Sequence, residues 1–235
     1  ASGLYSAARM TGFPQFRAVA DHALLVEFGS AAGPNVLAQV RHLDRMLQQS
    51  GLVGFVEAVP AFVNILVTFD PVLTDPAAVE DALRDLLKKP DTAGLEPVLR
   101  VVDVCYDAEL APDLAAVAQA CGMTVEAVIA AHLAGEYSVI LYGFAPGYAY
   151  LSGVPDALHL PRKPAAVRGV AAGSVIIAGA QCLVTTLTMP TGWWIIGRSP
   201  TRILRNQAAR PFLFDVGDRV QFRRVSRAEF DAARV

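Results

Sequence analysis

Residues able to hold and polarise a small amide or acid gather between positions 142 and 198. The run YGFAPGYAYL, residues 142–151, sets aromatics on both sides of a Pro-Gly pair. Pro146 fixes its own φ and lacks a donor, and Gly147 can take a positive φ. Residues 144–150 therefore predict a rigid, aromatic-flanked loop between strands. Backbone N–H groups at Gly147 and Tyr148 would suit a developing oxyanion. The bland alternative is a structural turn whose aromatics pack into a core. Arg162, Lys163 and Arg198 supply cations for a carboxylate or phosphate, and arginine offers a bidentate fork. For Lys163 a structural ion pair is the better reading; for Arg198, directly after GWWIIG, a binding role is favoured.

Other candidates are weighed the same way. Ser174 in AGSV lacks the flanks of a nucleophile elbow, so it reads as a polar turn residue and potential substrate donor. Gln181 can both donate and accept, which suits a specificity contact. Trp193 and Trp194 alternate along an expected strand, so one should face the core and the other a cleft or partner. His132 falls on an apolar helix face; a satisfied core or interface histidine is the commoner outcome there, and a site residue its rival. No nucleophile–base pair is recognisable, so the catalytic residue stays unassigned. His22, His42 and His159 have no ligand-like spacing, and no metal is expected. No phosphate-binding glycine loop or kinase signature is present, so ATP chemistry would require another polypeptide.

Elements must position these groups. Residues 23–28 read as a strand, and Pro34 opens a helix with Val36, Val40, Leu43 and Leu47 on one face. Residues 53–59 and 62–69 are strands, the second alternating Val63, Ile65, Val67 and Phe69. Asp75 caps a helix with Pro76 at its first position. Residues 90–97 form a loop and 98–104 a further strand. The order β-α-β-β-α-β is that of a ferredoxin-like split unit, with a domain spanning residues 13–97. From residue 98 to 235 the pattern changes. Two helices around Val117 and Val128 precede short strands at 138–142, 175–178, 182–185, 193–196 and 219–224. Many short strands with Gly/Pro turns suggest a closed or partly closed barrel. The fold class is α+β.

Composition bounds the rest. The chain has 235 residues and a formal net charge of −2, which argues against nucleic-acid binding. Hydrophobic residues reach 54%, yet no run approaches the roughly 18 apolar residues a spanning helix needs. The first 12 residues show no leader pattern and read as a loose tail. Three cysteines, Cys105, Cys121 and Cys182, are widely spaced and lie in apolar sequence. Buried free thiols and a cytoplasmic location are expected.

The ordered set GFxPGYxYL, PRK, AGSV, GAQ and GWxxxGR, together with ALLVEFG and EAVPAFVNILVTFD, resembles one bacterial family over nearly the whole chain. That family carries three labels: the B subunit of ATP-dependent 5-oxoprolinase, allophanate hydrolase subunit 1 (a carboxyltransferase-type domain), and a Kip-type inhibitor of sporulation kinases. The resemblance implies a cyclophilin-like barrel for the second domain. It also implies a substrate site drawn from Phe144, Pro146, Gly147, Tyr148, Arg162, Ser174, Gln181, Trp193 and Arg198, with His132 and Lys163 as site or interface residues. The implied activity is lactam hydrolysis of 5-oxoproline to glutamate by a complex that uses ATP, this chain binding no cofactor alone. The alternatives are a subunit acting on urea-like amides, or a module docking on a histidine kinase. The implied partner is the larger subunit of allophanate hydrolase subunit 2 type, in a hetero-oligomer without membrane contact. An apolar mean hydropathy of +0.40 fits such an interface, near the 144–148 loop and one of Trp193 or Trp194. The family's usual TGIYP and PGGW segments read CLVTT and PTGWW here, departures in the pocket wall that bear on the substrate rather than on the scaffold.

Overall fold

A computed structural model describes residues 12–31, 33–90, 97–207 and 210–233. The expected tail and most of the loop at 90–97 lie outside these residues. The chain divides into two compact units, Ala1–Gly94 and Leu95–Val235.

In the first unit, β1 (Gln15–Ala20), β2 (Ala23–Glu27), β3 (Phe55–Pro60) and β4 (Asn64–Phe69) form an antiparallel sheet in the order β1-β2-β4-β3. Helices α1 (Pro34–Ser50) and α2 (Pro76–Lys88) supply the rest. Leu24, Val26, Ile65, Val67 and Phe69 project from the sheet at period two and pack with Val40, Leu43, Leu47, Val79 and Leu83. The Asp75 carboxylate accepts N–H bonds from Ala77 and Ala78, both at 2.9 Å, which fixes the start of α2 as its sequence predicts.

One strand assignment needs correction. The last strand of the expected β-α-β-β-α-β order is β5 (Leu99–Val104), and it belongs to the sheet of the second unit. The fourth strand of the first sheet is instead β1, paired to β2 through a tight turn. Only Phe16 of β1 packs on the core, under the Arg84 guanidinium at 4.2 Å.

The second unit is built on a seven-stranded sheet. Its members are β5, β6 (Tyr137–Tyr142), β7 (Ala149–Ser152), β9 (Ser174–Ala178), β10 (Gln181–Val184), β12 (Trp194–Arg198) and β13 (Arg219–Arg224). A separate ribbon pairs β8 (Val167–Val170) with β11 (Met189–Thr191). The sheet order is β12-β9-β10-β7-β6-β13-β5, with β13 and β5 parallel. Its two outer strands meet where Cys105 and Arg198 exchange backbone hydrogen bonds of 2.8 and 2.9 Å. That bridge nearly closes the sheet into a barrel and satisfies backbone groups an open edge would expose.

Strand alternation divides the side chains between two clusters. Val175, Ile177, Cys182, Val184, Leu151 and Ile196 fill the main core with α3 (Leu114–Ala120) and α4 (Val125–Ala134). Ile176, Ala178, Leu183, Trp193 and Ile195 form a smaller cluster on the other side. Strand β9 is buried on both faces and reads as an unbroken apolar run for that reason. A short helix α5 (Arg227–Ala232) follows β13, started by a Ser226–Glu229 capping box. Cys105 and Cys182 are buried free thiols, and Cys121 is half-buried. No single helix among the described residues is long and apolar enough to cross a membrane.

Candidate functional site

The APGY segment forms a tight turn for reasons visible in its residues. Pro146 occupies the second position, Gly147 the third at φ 73°, and Tyr148 N–H donates to the Ala145 carbonyl at 3.0 Å. This is the pattern of a type II turn. A side chain at position 147 would also meet Leu204 Cδ2 at 2.7 Å. Thr186 then anchors the turn by donating its hydroxyl to the Pro146 carbonyl at 2.7 Å. The oxyanion expectation is corrected in part: Tyr148 N–H is already engaged, and Gly147 N–H alone of that pair lacks a partner among the described residues. Phe144 precedes the turn at φ 73°, the only described non-glycine residue with positive φ, and is 74% exposed. A bulky aromatic held in this region is strained, a condition that clusters at functional sites.

Two clefts flank this turn. The first, about 210 Å³, lies over the smaller cluster and is walled by Phe144, Tyr148, Tyr150, Trp193, Ile176 and Leu183. Arg162 brings a charge to its rim, with Cζ 5.7 Å from the Trp193 ring centroid, within cation–π reach. Tyr150 meets Trp193 edge to face at 5.9 Å. Burial, with Tyr150 adding to it, pushes the Tyr148 phenol up to about 12, so it stays a neutral donor near pH 7. The second cleft, about 470 Å³, contains Arg198, Gly173, Thr185, Thr186, Ser199, Thr201 and Arg202. It sits at the barrel seam, because Arg198 closes that seam. The Arg198 Nε donates to the Ala172 carbonyl at 3.1 Å, which holds the guanidinium in place.

The structure thus separates residues that the sequence had grouped. Phe144, Tyr148, Arg162 and Trp193 share the first cleft; Arg198 belongs to the second. Lys163 joins neither. Its Nζ pairs with Asp113 Oδ2 at 2.6 Å with only 10% of its side chain exposed. Ser174 is internal: its hydroxyl donates to the Ala171 carbonyl at 2.8 Å, and its N–H donates to Thr185 Oγ1 at 2.9 Å. Neither cleft includes it, which corrects its expected contact with substrate. Gln181 starts β10 beside Ala178 and Ser152, outside both clefts. Trp193 faces the first cleft, while Trp194 packs toward the main core and donates Nε1–H to the Pro161 carbonyl at 2.7 Å.

His132 is fully buried. Its Nδ1 lies 2.7 Å from the Tyr106 hydroxyl and its Nε2 3.7 Å from Cys182 Sγ, with the Phe222 ring centroid at 4.5 Å. Burial lowers its pKa to about 3, so it is a neutral core residue away from both clefts and from any surface. Burial likewise raises the Cys182 thiol, removing thiolate character.

Sequence reasoning missed Tyr150, Asp113, Thr186, Ser199, Thr201 and Arg202. Tyr150 lies inside the quoted YGFAPGYAYL run, and period-two alternation from Tyr148 would have placed it on the same side. Thr186 carries no local signal, because its role follows from a contact across the barrel. Among the described residues no group of three or more His, Cys, Asp or Glu side chains could hold a metal ion.

The family model of the carboxyltransferase domain, subdomains C and D, matches residues 14–214. The chain is a member of that family. Over 239 aligned residues it is 32% identical to the 5-oxoprolinase B subunit of Bacillus subtilis (strain 168), covering 95% of this chain and 98% of that one. It superposes on the crystal structure of TTHA0988 with a TM-score of 0.77 and 30% identity, over 86% of this chain and 40% of that chain. The chain therefore spans less than half the length of that structural relative. The K. lactis urea amidolyase shares the fold, with a TM-score of 0.72 at 17% identity over 92% of this chain and 15% of that one.

Proposed function

We propose that the chain is the substrate-holding subunit of a 5-oxoprolinase-type complex, opening the lactam of 5-oxoproline to glutamate with ATP consumed by the assembly. The first cleft carries this reading. It is small, its walls are aromatic and aliphatic, and one guanidinium stands at its rim. A five-membered lactam acid has matching parts: a compact ring for the apolar walls and a carboxylate for the Arg162 fork. The Tyr148 and Tyr150 side chains that line it carry hydroxyl donors suited to its amide oxygen. No side chain in the cleft is a recognisable base, so this chain binds and orients while a larger partner supplies nucleotide handling. Three relatives are 5-oxoprolinase B subunits, one of them aligned over nearly the full length of both chains, and they support the reading. That these relatives are subunits supports a multi-subunit assembly here as well. A urea-type carboxyltransferase role is favoured by membership of the carboxyltransferase domain family and is the alternative to test.

The experiment is to purify the chain alone and with its larger partner, then to follow ATP hydrolysis with 5-oxoproline or urea. The expected result is turnover by the assembly with 5-oxoproline only, and none by the lone chain. Full turnover by the lone chain, or an assembly that responds only to urea, would overturn the proposal.

A further inference from the structure

The first cleft is lined by aromatic donors that the fold leaves unused. Elsewhere in this unit such donors are engaged within the protein. The Tyr106 hydroxyl lies 2.7 Å from His132 Nδ1, and Tyr137 donates to the His132 carbonyl at 3.0 Å. Tyr142 donates to the Phe214 carbonyl at 2.8 Å, and Trp194 to the Pro161 carbonyl at 2.7 Å. Tyr148, Tyr150 and Trp193 line the cleft, and their side chains have no hydrogen-bond partner among the described residues. Tyr148 and Trp193 are only 3% and 5% exposed. Polar groups on residues this buried normally have a partner, because a donor left without one costs free energy. Neither the Tyr148 hydroxyl nor the Trp193 Nε1 is itself a fully buried atom without a partner, so the small accessible part of each residue includes its donor. Trp193 is also held in place. Its backbone N–H donates to Thr191 Oγ1 at 3.1 Å, and its ring is met by Tyr150 on one edge and by the Arg162 guanidinium. No Asp, Glu, Asn, Gln or His side chain lines the cleft.

On the reading of the first cleft as the substrate site, we infer that Trp193 is a specificity-determining residue that, together with Tyr148, reads a carbonyl oxygen on the ligand. The indole N–H can only donate, and the Tyr148 phenol has its proton to give. A carbonyl oxygen has two lone pairs and accepts from both. The ligand class that follows is a small ring acid with a carbonyl in the ring, its carboxylate facing Arg162 at the rim. A saturated ring acid of the same size leaves both donors without an acceptor. A site built around a hydrogen bond rejects the analogue that lacks it for that reason. Urea brings one oxygen but four N–H bonds, for which the cleft supplies no carboxylate, amide or imidazole side chain.

The test is calorimetric titration of the chain with 5-oxoproline, cyclopentanecarboxylate and 2-pyrrolidinone. The second probe keeps a ring and a carboxylate but lacks the carbonyl; the third keeps the carbonyl and lacks the carboxylate. The parent should bind 5-oxoproline about 10-fold or more tightly than cyclopentanecarboxylate, the scale of one or two hydrogen bonds. Tyr148→Phe and Trp193→Phe should each cut that ratio severalfold and weaken 2-pyrrolidinone by a similar factor. Trp193→Phe also trims the cleft wall, which weakens all three probes together, so the ratio isolates its N–H. The Tyr148 hydroxyl serves no partner in the fold, so Tyr148→Phe should leave Tm at or above that of the parent. Tyr142→Phe, which gives up the bond to the Phe214 carbonyl, should lower Tm and keep the ratio. No binding of any probe, an unchanged ratio in either cleft variant, or an equal fall in Tyr142→Phe would overturn the inference. The result is separable from the turnover assay. An assembly that responds only to urea sinks lactam hydrolysis even where the ratio behaves as expected. Turnover of 5-oxoproline by the assembly, with the ratio unchanged in the variants, sinks only the role given to Trp193 and Tyr148.

Discussion

Substituting Lys163 by Met separates a structural cation from a substrate ligand. The Lys163 ammonium touches Asp113 Oδ2 at 2.6 Å, and the same oxygen accepts the Ile195 N–H at 2.7 Å. The two side chains are 10% and 20% exposed. An exposed pair would contribute at most about 1 kcal/mol. Removing one member of a buried pair costs roughly 3–5 kcal/mol, because the remaining charge is left desolvated. The residual exposure here places the expected loss at the lower end, about 3 kcal/mol. At 2–4 °C per kcal/mol for a protein of this size, Tm should fall by roughly 6–12 °C. Methionine preserves the side-chain stem, so little of this loss reflects packing.

The assay is urea unfolding followed by tryptophan fluorescence. The two tryptophans of the chain, Trp193 and Trp194, lie beside this pair, with Lys163 Nζ 5.9 Å from the Trp194 ring centroid. Adding Asp113→Asn to Lys163→Met removes the stranded charge yet keeps an acceptor for Ile195, so the double variant should recover about half the loss. A Lys163→Met variant within about 0.5 kcal/mol of the parent that no longer supports turnover in the assembly would refute the structural role and return Lys163 to substrate binding.

Three further outcomes are expected. Burial keeps the His132 imidazole from taking up a second proton in the folded state until about pH 3, whereas the unfolded chain takes one near 6.5. Falling pH therefore favours unfolding between those values by up to about 1.4 kcal/mol per pH unit, and His132→Gln should flatten that slope in unfolding measured from pH 7 to 4. Phe144→Gly relieves a φ of 73° while giving up an exposed ring; stability should stay within about 1 kcal/mol of the parent, and 5-oxoproline turnover by the assembly should fall at least tenfold. Asp75→Ala removes the cap of α2 and should cost the first unit about 1 kcal/mol in denaturant unfolding.

Legibility of the fold followed the strength of local signals. Strands β4 and β9 and helices α1 and α2 announce themselves by period or by unbroken apolar runs. Strand β5 was legible as a strand, but periodicity carries no information about which sheet receives it. Its partner β13 lies more than a hundred residues further on, and their parallel pairing is a long-range contact. Strand β1 failed for the opposite reason. Most of its side chains are exposed and only Phe16 packs inward, so its pairing with β2 is held by backbone bonds that any sequence can make.

The site shows the same division between local chemistry and distant contact. The turn at Pro146-Gly147 was readable because φ restrictions belong to the residues themselves. A structural ion pair at Lys163 and a polar turn at Ser174 were readable as types, but the partners were not, because each is supplied by another part of the barrel: Asp113 for Lys163, Thr185 for Ser174, and the Cys105 bridge for Arg198. His132 illustrates why charge type alone misleads. Its helix position gave an apolar face, and that face is what counted: enclosed by Phe222, Tyr137 and Cys182, the ring is held neutral by burial. A histidine kept neutral from about pH 3 upward cannot shuttle protons near pH 7. Arg162 and Arg198, which the sequence had grouped as cations for one ligand, stand at separate clefts rather than in one.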